Sequence, residues 1–154
     1  MVNRWACILA TGFGCGRVPV APGTVASLLG VLIYLLLASL STRVVSFLIL
    51  GCLFTVGVSV SGMAEKIFQE TDARAIVIDE IHGMVLTLLL LPRPGYLPVA
   101  FVLFRGLDIL KPFPAGMVER KMSGGLAIML DDVVAAGYTI LILNGFDLLL
   151  NYGK

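Results

Sequence analysis

The chain carries no charged residue for 25 positions between Arg17 and Arg43, and none for another 21 between Arg43 and Glu65. Few folds accommodate such stretches. A helix rises about 1.5 Å per residue, and crossing the hydrocarbon core of a bilayer takes about 20 apolar residues. The segments VASLLGVLIYLLLASL (25–40) and VVSFLILGCLFTVGVSVSG (44–62) lie within these stretches and meet that need. The first sits too far from the N-terminus for a cleaved signal peptide, and no small-residue cleavage site follows it. The alternative, a buried helical hairpin in a soluble bundle, fits the length criterion less well.

Composition points the same way. Of 154 residues, 58% are hydrophobic and 14% charged, against about 25% charged in an average soluble domain. A disordered chain needs the opposite balance. The net charge of +1 lacks the basic footprint of a nucleic-acid-binding domain, so no nucleic-acid partner is expected. Cys7, Cys15 and Cys52 have no CxxC spacing and leave one cysteine over, which suggests neither a disulfide framework nor a zinc knuckle. The length predicts one domain over 1–154.

The charges are sorted. Seven of them lie between Glu65 and Glu80 and eight between Arg105 and Asp132. Between these windows runs an apolar segment, 81–104, interrupted by Pro92, Arg93, Pro94 and Gly95. Proline and glycine at that density end a helix, and each half is too short for a straight span. A helix-turn-helix or re-entrant hairpin is predicted, returning the chain to the face it left. A last apolar stretch, 133–150, is long enough to cross and holds Asp147 near its end. The positive-inside rule places Arg4, Arg17, Lys66, Arg74, Arg105, Lys111, Arg120 and Lys121 in the cytoplasm, with Arg43 and Arg93 in outer turns.

Three motifs carry the polar chemistry. In TDARAIVIDEIHG (71–83), read as a helix, Asp72, Ile76, Asp79 and Gly83 fall on one stripe, with Glu80 beside Asp79. A second acidic pair, Asp131 and Asp132, precedes the last apolar span, after Gly124 and Gly125, which free the backbone to turn. One such pair could simply mark the wet end of a helix; two pairs among ten acidic residues weaken that reading. In FRGLDILKPFP (104–114), Arg105, Asp108 and Lys111 follow at i, i+3 and i+6, and the prolines at 112 and 114 stop the helix. Arginine grips phosphate with two donors, and lysine acts as a point charge. The loop GFGCGRVPVAPGTVAS (12–27) fits neither a dinucleotide fingerprint nor a Walker A sequence. It reads as a loop with Thr24 capping the first apolar helix, whose free amides can bind an anion.

Absences narrow the chemistry. His82 is the only histidine, which excludes mechanisms and metal sites that need two. No cysteine-phosphatase loop and no D-x-D pair for an aspartyl-phosphate mechanism is present. Carboxylates with Arg and Lys remain, a set suited to a hard cation such as Mg²⁺ and a phosphate ligand.

APGTVAS (21–27), IVIDEIHG (76–83), FRGLDILKPFP (104–114) and GGLAIMLDDVVAAG (124–137) together resemble the phosphatidylglycerophosphatase A family, in its order and spacing over nearly the whole chain. The resemblance implies an all-α, compact helical bundle with several membrane-embedded helices. It also implies a bacterial, Mg²⁺-dependent lipid phosphatase converting phosphatidylglycerophosphate to phosphatidylglycerol and inorganic phosphate. That places the chain in the inner membrane as a multi-pass protein, with a phospholipid substrate. The chain departs from the family pattern in having Ala73 where a proline follows the aspartate, FRGLD for FRLFD, and Ala26 and Ala127 at usual glycine positions. No departure removes a charged group.

The expected roles follow. Asp79, Glu80, Asp131 and Asp132 hold Mg²⁺, and Asp108 supports or completes the catalytic set. Arg105, Lys111 and Thr24 bind phosphate. The competing class is a small transporter or channel component with intramembrane carboxylates handling ions. Only Asp147 looks like such an acid, and no repeated halves surround a midplane site.

Overall fold

A computed structural model describes residues 2–70, 73–113 and 122–152. These form six α-helices and no strand. They are α1 (Val2–Ala10), α2 (Pro22–Leu40), α3 (Arg43–Phe68), α4 (Ile78–Leu89), α5 (Leu97–Leu110) and α6 (Gly125–Asn151). Helices α2, α3 and α6, at 19, 26 and 27 residues, are long and apolar enough to cross a membrane. Their outer faces carry Leu28, Leu32, Leu36, Leu48, Leu141 and Leu149, all exposed. Apolar surface on that scale suits lipid and not water.

Helix α4 is the centre of the bundle. Only Glu80 and Leu86 among its residues escape full burial, so neighbours enclose it on nearly every side. It packs on α2, α6, α3 and α5. Close approach of α2 depends on Gly30, where a Cβ would lie 2.9 Å from both the Ile81 carbonyl oxygen and Met84 Cβ. On the other side, a Cβ on Gly83 would lie 2.7 Å from the Phe104 ring and 3.1 Å from Asp132 Cβ. Two buried hydroxyls bond within their own helices: Ser27 donates to the Gly23 carbonyl at 2.9 Å and Thr87 to that of Gly83 at 2.8 Å. Apolar surroundings therefore cost these side chains no unmet donor.

The interrupted segment forms the hairpin its prolines predict. With 12 and 14 residues, α4 and α5 extend about 18 and 21 Å, short of a full crossing. A single turn of 3-10 helix, Pro94–Tyr96, joins them. At the hairpin's open end Arg105 approaches Glu80 to 3.8 Å. At its tip Arg93 pairs with Asp147 at 2.8 Å, and Arg43 donates to the Leu89 carbonyl at 3.4 Å. The two arginines assigned to outer turns thus lie at the end of the bundle opposite the acidic motifs.

Local readings of the sequence need correction at two helix starts. Thr24 does not cap α2. Ala21, in left-handed conformation at φ 48, occupies the cap position, and Pro22 opens the helix with its preset backbone angle. Helix α4 begins at Ile78, and residues 73–77 form a turn in which the Ile76 amide donates to the Ala73 carbonyl at 2.7 Å. The stripe read across 71–83 therefore keeps Asp79 and Gly83 and loses Ile76. Asp72, Pro114, Arg120 and Lys121 lie outside the described residues. The glycine pair behaves as read: Gly124 has φ +86, and a Cβ on Gly125 would strike the Val58 carbonyl and approach the Gly62 nitrogen to 2.6 Å. Helix α5 runs unbroken through Gly106 and Leu107.

Candidate active site

Three helix N-termini meet at one cavity of about 440 Å³. Pro22, Gly23 and Thr24 come from the start of α2, Asp79 and Glu80 from the first turn of α4, and Gly124 precedes α6. Each N-terminus presents partial positive charge from unpaired amides. An otherwise apolar bundle thereby offers a place where carboxylates and anions are tolerated. Every residue assigned a role from the sequence lines this cavity: Asp79, Glu80, Asp108, Asp131, Asp132, Arg105, Lys111 and Thr24.

The carboxylates fall into two arrangements. One oxygen from each of Asp79, Glu80 and Asp132 lies within 4.8 Å of the others. Asp79 and Asp132 are buried, and Glu80 keeps only slight exposure. Asp131 is drawn aside by Lys111, whose Nζ lies 2.7 Å from its Oδ2. Lys111 is the residue after α5 and takes a left-handed conformation, φ 45, which caps that helix. Of the four carboxylates read as metal ligands, three are clustered and the fourth is paired.

This cluster fits a hard cation. Glu80 Oε2 and Asp132 Oδ2 are buried with no hydrogen-bond partner, a costly condition for carboxylate oxygens that an ion would relieve. Burial, and then the charge of Asp132, push the Glu80 carboxyl up to about 8. Burial thus favours the protonated form of Glu80, against the pull of Arg105. A divalent ion would displace that proton and take an all-oxygen ligand set.

Arg105 sits across from the cluster. Its Nη1 lies 2.5 Å from Asp108 Oδ2 and 3.8 Å from Glu80 Oε1, so an i,i+3 partner holds the guanidinium against the acidic group. Gly23 permits this approach. A Cβ there would overlap Glu80 Oε1 and stand 2.7 Å from Arg105 Nη2. The Arg105 Nε is buried without a partner.

Sequence reasoning passed over Glu65, Arg74 and Ser123, which also line the cavity. Glu65 and Arg74 belong to the first charged window, which was the available signal. His82 lies elsewhere, buried with its ring 5.3 Å from that of Phe54.

The family model described as Phosphatidylglycerophosphatase A matches residues 8–147. A protein of Escherichia coli K12 named phosphatidylglycerophosphatase A is 39% identical over 138 residues, covering 88% of this chain and 78% of the relative. Its namesake in Haemophilus influenzae is 35% identical over 137 residues, covering 88% and 84%. A Bacteroides thetaiotaomicron protein bearing the provisional name of a phosphatidylinositol-3-phosphatase is 34% identical over 144 residues, covering 88% and 89%. No solved structure gives a significant match.

Proposed function

This chain belongs to the phosphatidylglycerophosphatase A family, and from that premise we propose that it hydrolyses the terminal phosphate of phosphatidylglycerophosphate, yielding phosphatidylglycerol and inorganic phosphate. It is a phosphoric monoester hydrolase whose substrate is a membrane phospholipid. We further assign the cation to Mg²⁺, the location to the bacterial inner membrane, and the cavity to its cytoplasmic face. The whole chain acts as one domain.

The observation that carries this reading is the meeting of Asp79, Glu80 and Asp132 with Arg105 and Lys111 in one cavity. When bound by those three carboxylates, Mg²⁺ supplies Lewis-acid neutralisation of phosphate oxygens and a lowered pKa for attacking water. Arg105 binds two nonbridging oxygens and stabilises the charge that grows on them. Asp108 holds the guanidinium in that orientation. Lys111 adds a second positive charge and is itself aligned by Asp131. Thr24 lies on the wall where the start of α2 faces the anion. The surrounding helices restrict water to the cavity, which strengthens each of these electrostatic contacts.

The transporter reading loses its main support. Asp147, its candidate ion-handling acid, is held by Arg93 at 2.8 Å and by the Tyr96 hydroxyl at 3.0 Å.

Phosphate release from phosphatidylglycerophosphate in mixed micelles tests the proposal. Purified protein should release inorganic phosphate with Mg²⁺ and stop when the metal is chelated, and Asp79→Asn should be inactive. Absence of release with fresh substrate and metal would refute the assignment.

A further inference from the structure

Arg74 stands where two cavities meet. It lines the catalytic cavity and a neighbouring one of about 480 Å³ walled in part by Val18, Pro19, Phe68 and Ala75. Among the described residues, three cations line the catalytic cavity. Arg105 is engaged by Asp108 and Glu80, and Lys111 by Asp131. Arg74 makes no ion pair among the described residues, and its side chain is exposed.

Its backbone is well anchored. The turn that carries it is closed by the bond from the Ile76 amide to the Ala73 carbonyl, and the Val77 amide donates to the Ala10 carbonyl at 2.9 Å. Behind the turn, Ala75 packs so tightly on Gly16 that a Cβ there would overlap its carbonyl. An unengaged guanidinium is thus presented from a fixed turn at the rim of a phosphate-binding cavity.

We propose that Arg74 forms a second phosphate subsite, which reads the phosphodiester of a lipid whose headgroup carries two phosphates. This rests on the phosphatase reading above and deepens it. The terminal monoester occupies the floor, among Arg105, Lys111 and the carboxylates. The phosphodiester, one glycerol away, reaches the rim, where an arginine fork binds two of its oxygens. The neighbouring cavity, where Val18, Pro19, Phe68 and Ala75 supply apolar wall, receives the glycerol and the first acyl carbons beyond it. Glu70, also on that second cavity, repels an anion beside it and favours the diester at Arg74. A lipid with one phosphate fills the floor alone and gains nothing from Arg74.

The test compares phosphatidylglycerophosphate with phosphatidic acid, which shares the diacylglycerol and lacks the second phosphate. Both KM and kcat are measured in mixed micelles. Binding of each labelled lipid is measured separately under chelation, where no turnover occurs. Arg74→Ala should raise KM and weaken binding for the two-phosphate lipid by about tenfold, about 1.4 kcal/mol, with kcat nearly unchanged. Phosphatidic acid should be unaffected in both measurements, and Arg74→Lys should recover part of the loss. Parallel losses for both lipids, or no change for either, would overturn the subsite while leaving the phosphatase reading intact. Arg74-dependent preference in binding without hydrolysis of either lipid by the wild type would sustain the subsite and refute the phosphatase reading.

Discussion

Lys111 and Asp131 form an ion pair of 2.7 Å that ties the end of α5 to the second turn of α6. Asp132, its neighbour in sequence, lies instead in the cluster with Asp79 and Glu80. Adjacent residues on a helix point about 100° apart, so this pair of acids divides between two tasks.

The division sets the first prediction. Asp132→Asn should raise the Mg²⁺ concentration for half-maximal rate by at least about tenfold, because a hard anionic ligand is lost. Asp131→Asn should lower kcat by about a hundredfold, the scale of one disturbed transition-state contact, through loss of the partner that aligns Lys111. Its metal requirement should move far less. Equal shifts in a Mg²⁺ titration would place Asp131 among the ligands.

Arg105→Lys preserves the charge and removes the planar fork held by Asp108 at 2.5 Å. A single ammonium cannot bind two phosphate oxygens in the same plane. We expect kcat/KM to fall by about a hundredfold with the Mg²⁺ requirement little changed. A large increase in that requirement would instead assign Arg105 to ordering the carboxylates.

Much of this arrangement was legible in the chain itself. Charge-free stretches identified α2 and α3, and the prolines around Arg93 identified the hairpin between α4 and α5. The chemistry of the acidic and basic motifs gathered eight residues that do line one cavity. What escaped depended on tertiary contacts. Lys111 could have neighboured Asp108 by helical spacing, but the left-handed cap after Leu110 turns it toward Asp131. The start of α4 was hidden because residues 73–77 bond to one another and to Ala10 instead of continuing a helix. Arg74 looked like one charge among seven, and its position between two cavities is not encoded in local spacing.

The sorting of charges to opposite ends of the bundle predicts the topology. In a chain with Cys7, Cys15 and Cys52 replaced, a membrane-impermeant thiol reagent applied from outside should label Gly95→Cys at the hairpin turn. It should not label Lys66→Cys near the end of α3 until the membrane is permeabilised. The reverse pattern would put the cavity on the outer face and contradict the positive-inside assignment.

Asp147 belongs to that distant end. Its contacts with Arg93 and Tyr96 join the hairpin tip to α6, and Asp147 is more shielded than Arg93, at 19% and 55% side-chain exposure. Asp147→Asn should therefore cost about 1 kcal/mol of stability or less, read as a small drop in thermal midpoint. Phosphatase activity should stay within about twofold, since no reacting group is touched. A hundredfold loss of activity in a folded variant would reopen the ion-handling reading.

The sharpest test of the site's geometry uses two alanine substitutions of similar chemistry. At Gly23 a Cβ would meet Glu80 Oε1 and stand 2.7 Å from Arg105 Nη2 and 3.0 Å from Nη1. At Gly106, one residue from Arg105, a Cβ meets nothing within 4 Å. Both glycines lie in helices, Gly23 in a first turn and Gly106 in an interior, where alanine is favoured by up to about 1 kcal/mol. Propensity alone would make both variants at least as stable as wild type. Gly106→Ala should follow that rule and keep its activity. Gly23→Ala should push the Glu80 carboxylate and the Arg105 fork off their positions, and a 1 Å misplacement of a catalytic group can cost about a hundredfold in rate. Far-ultraviolet circular dichroism of the Gly23 variant should remain helical, which separates a displaced site from an unfolded chain. Full activity in a folded Gly23→Ala protein would show that close packing of α2 on Glu80 and Arg105 is dispensable for the reaction.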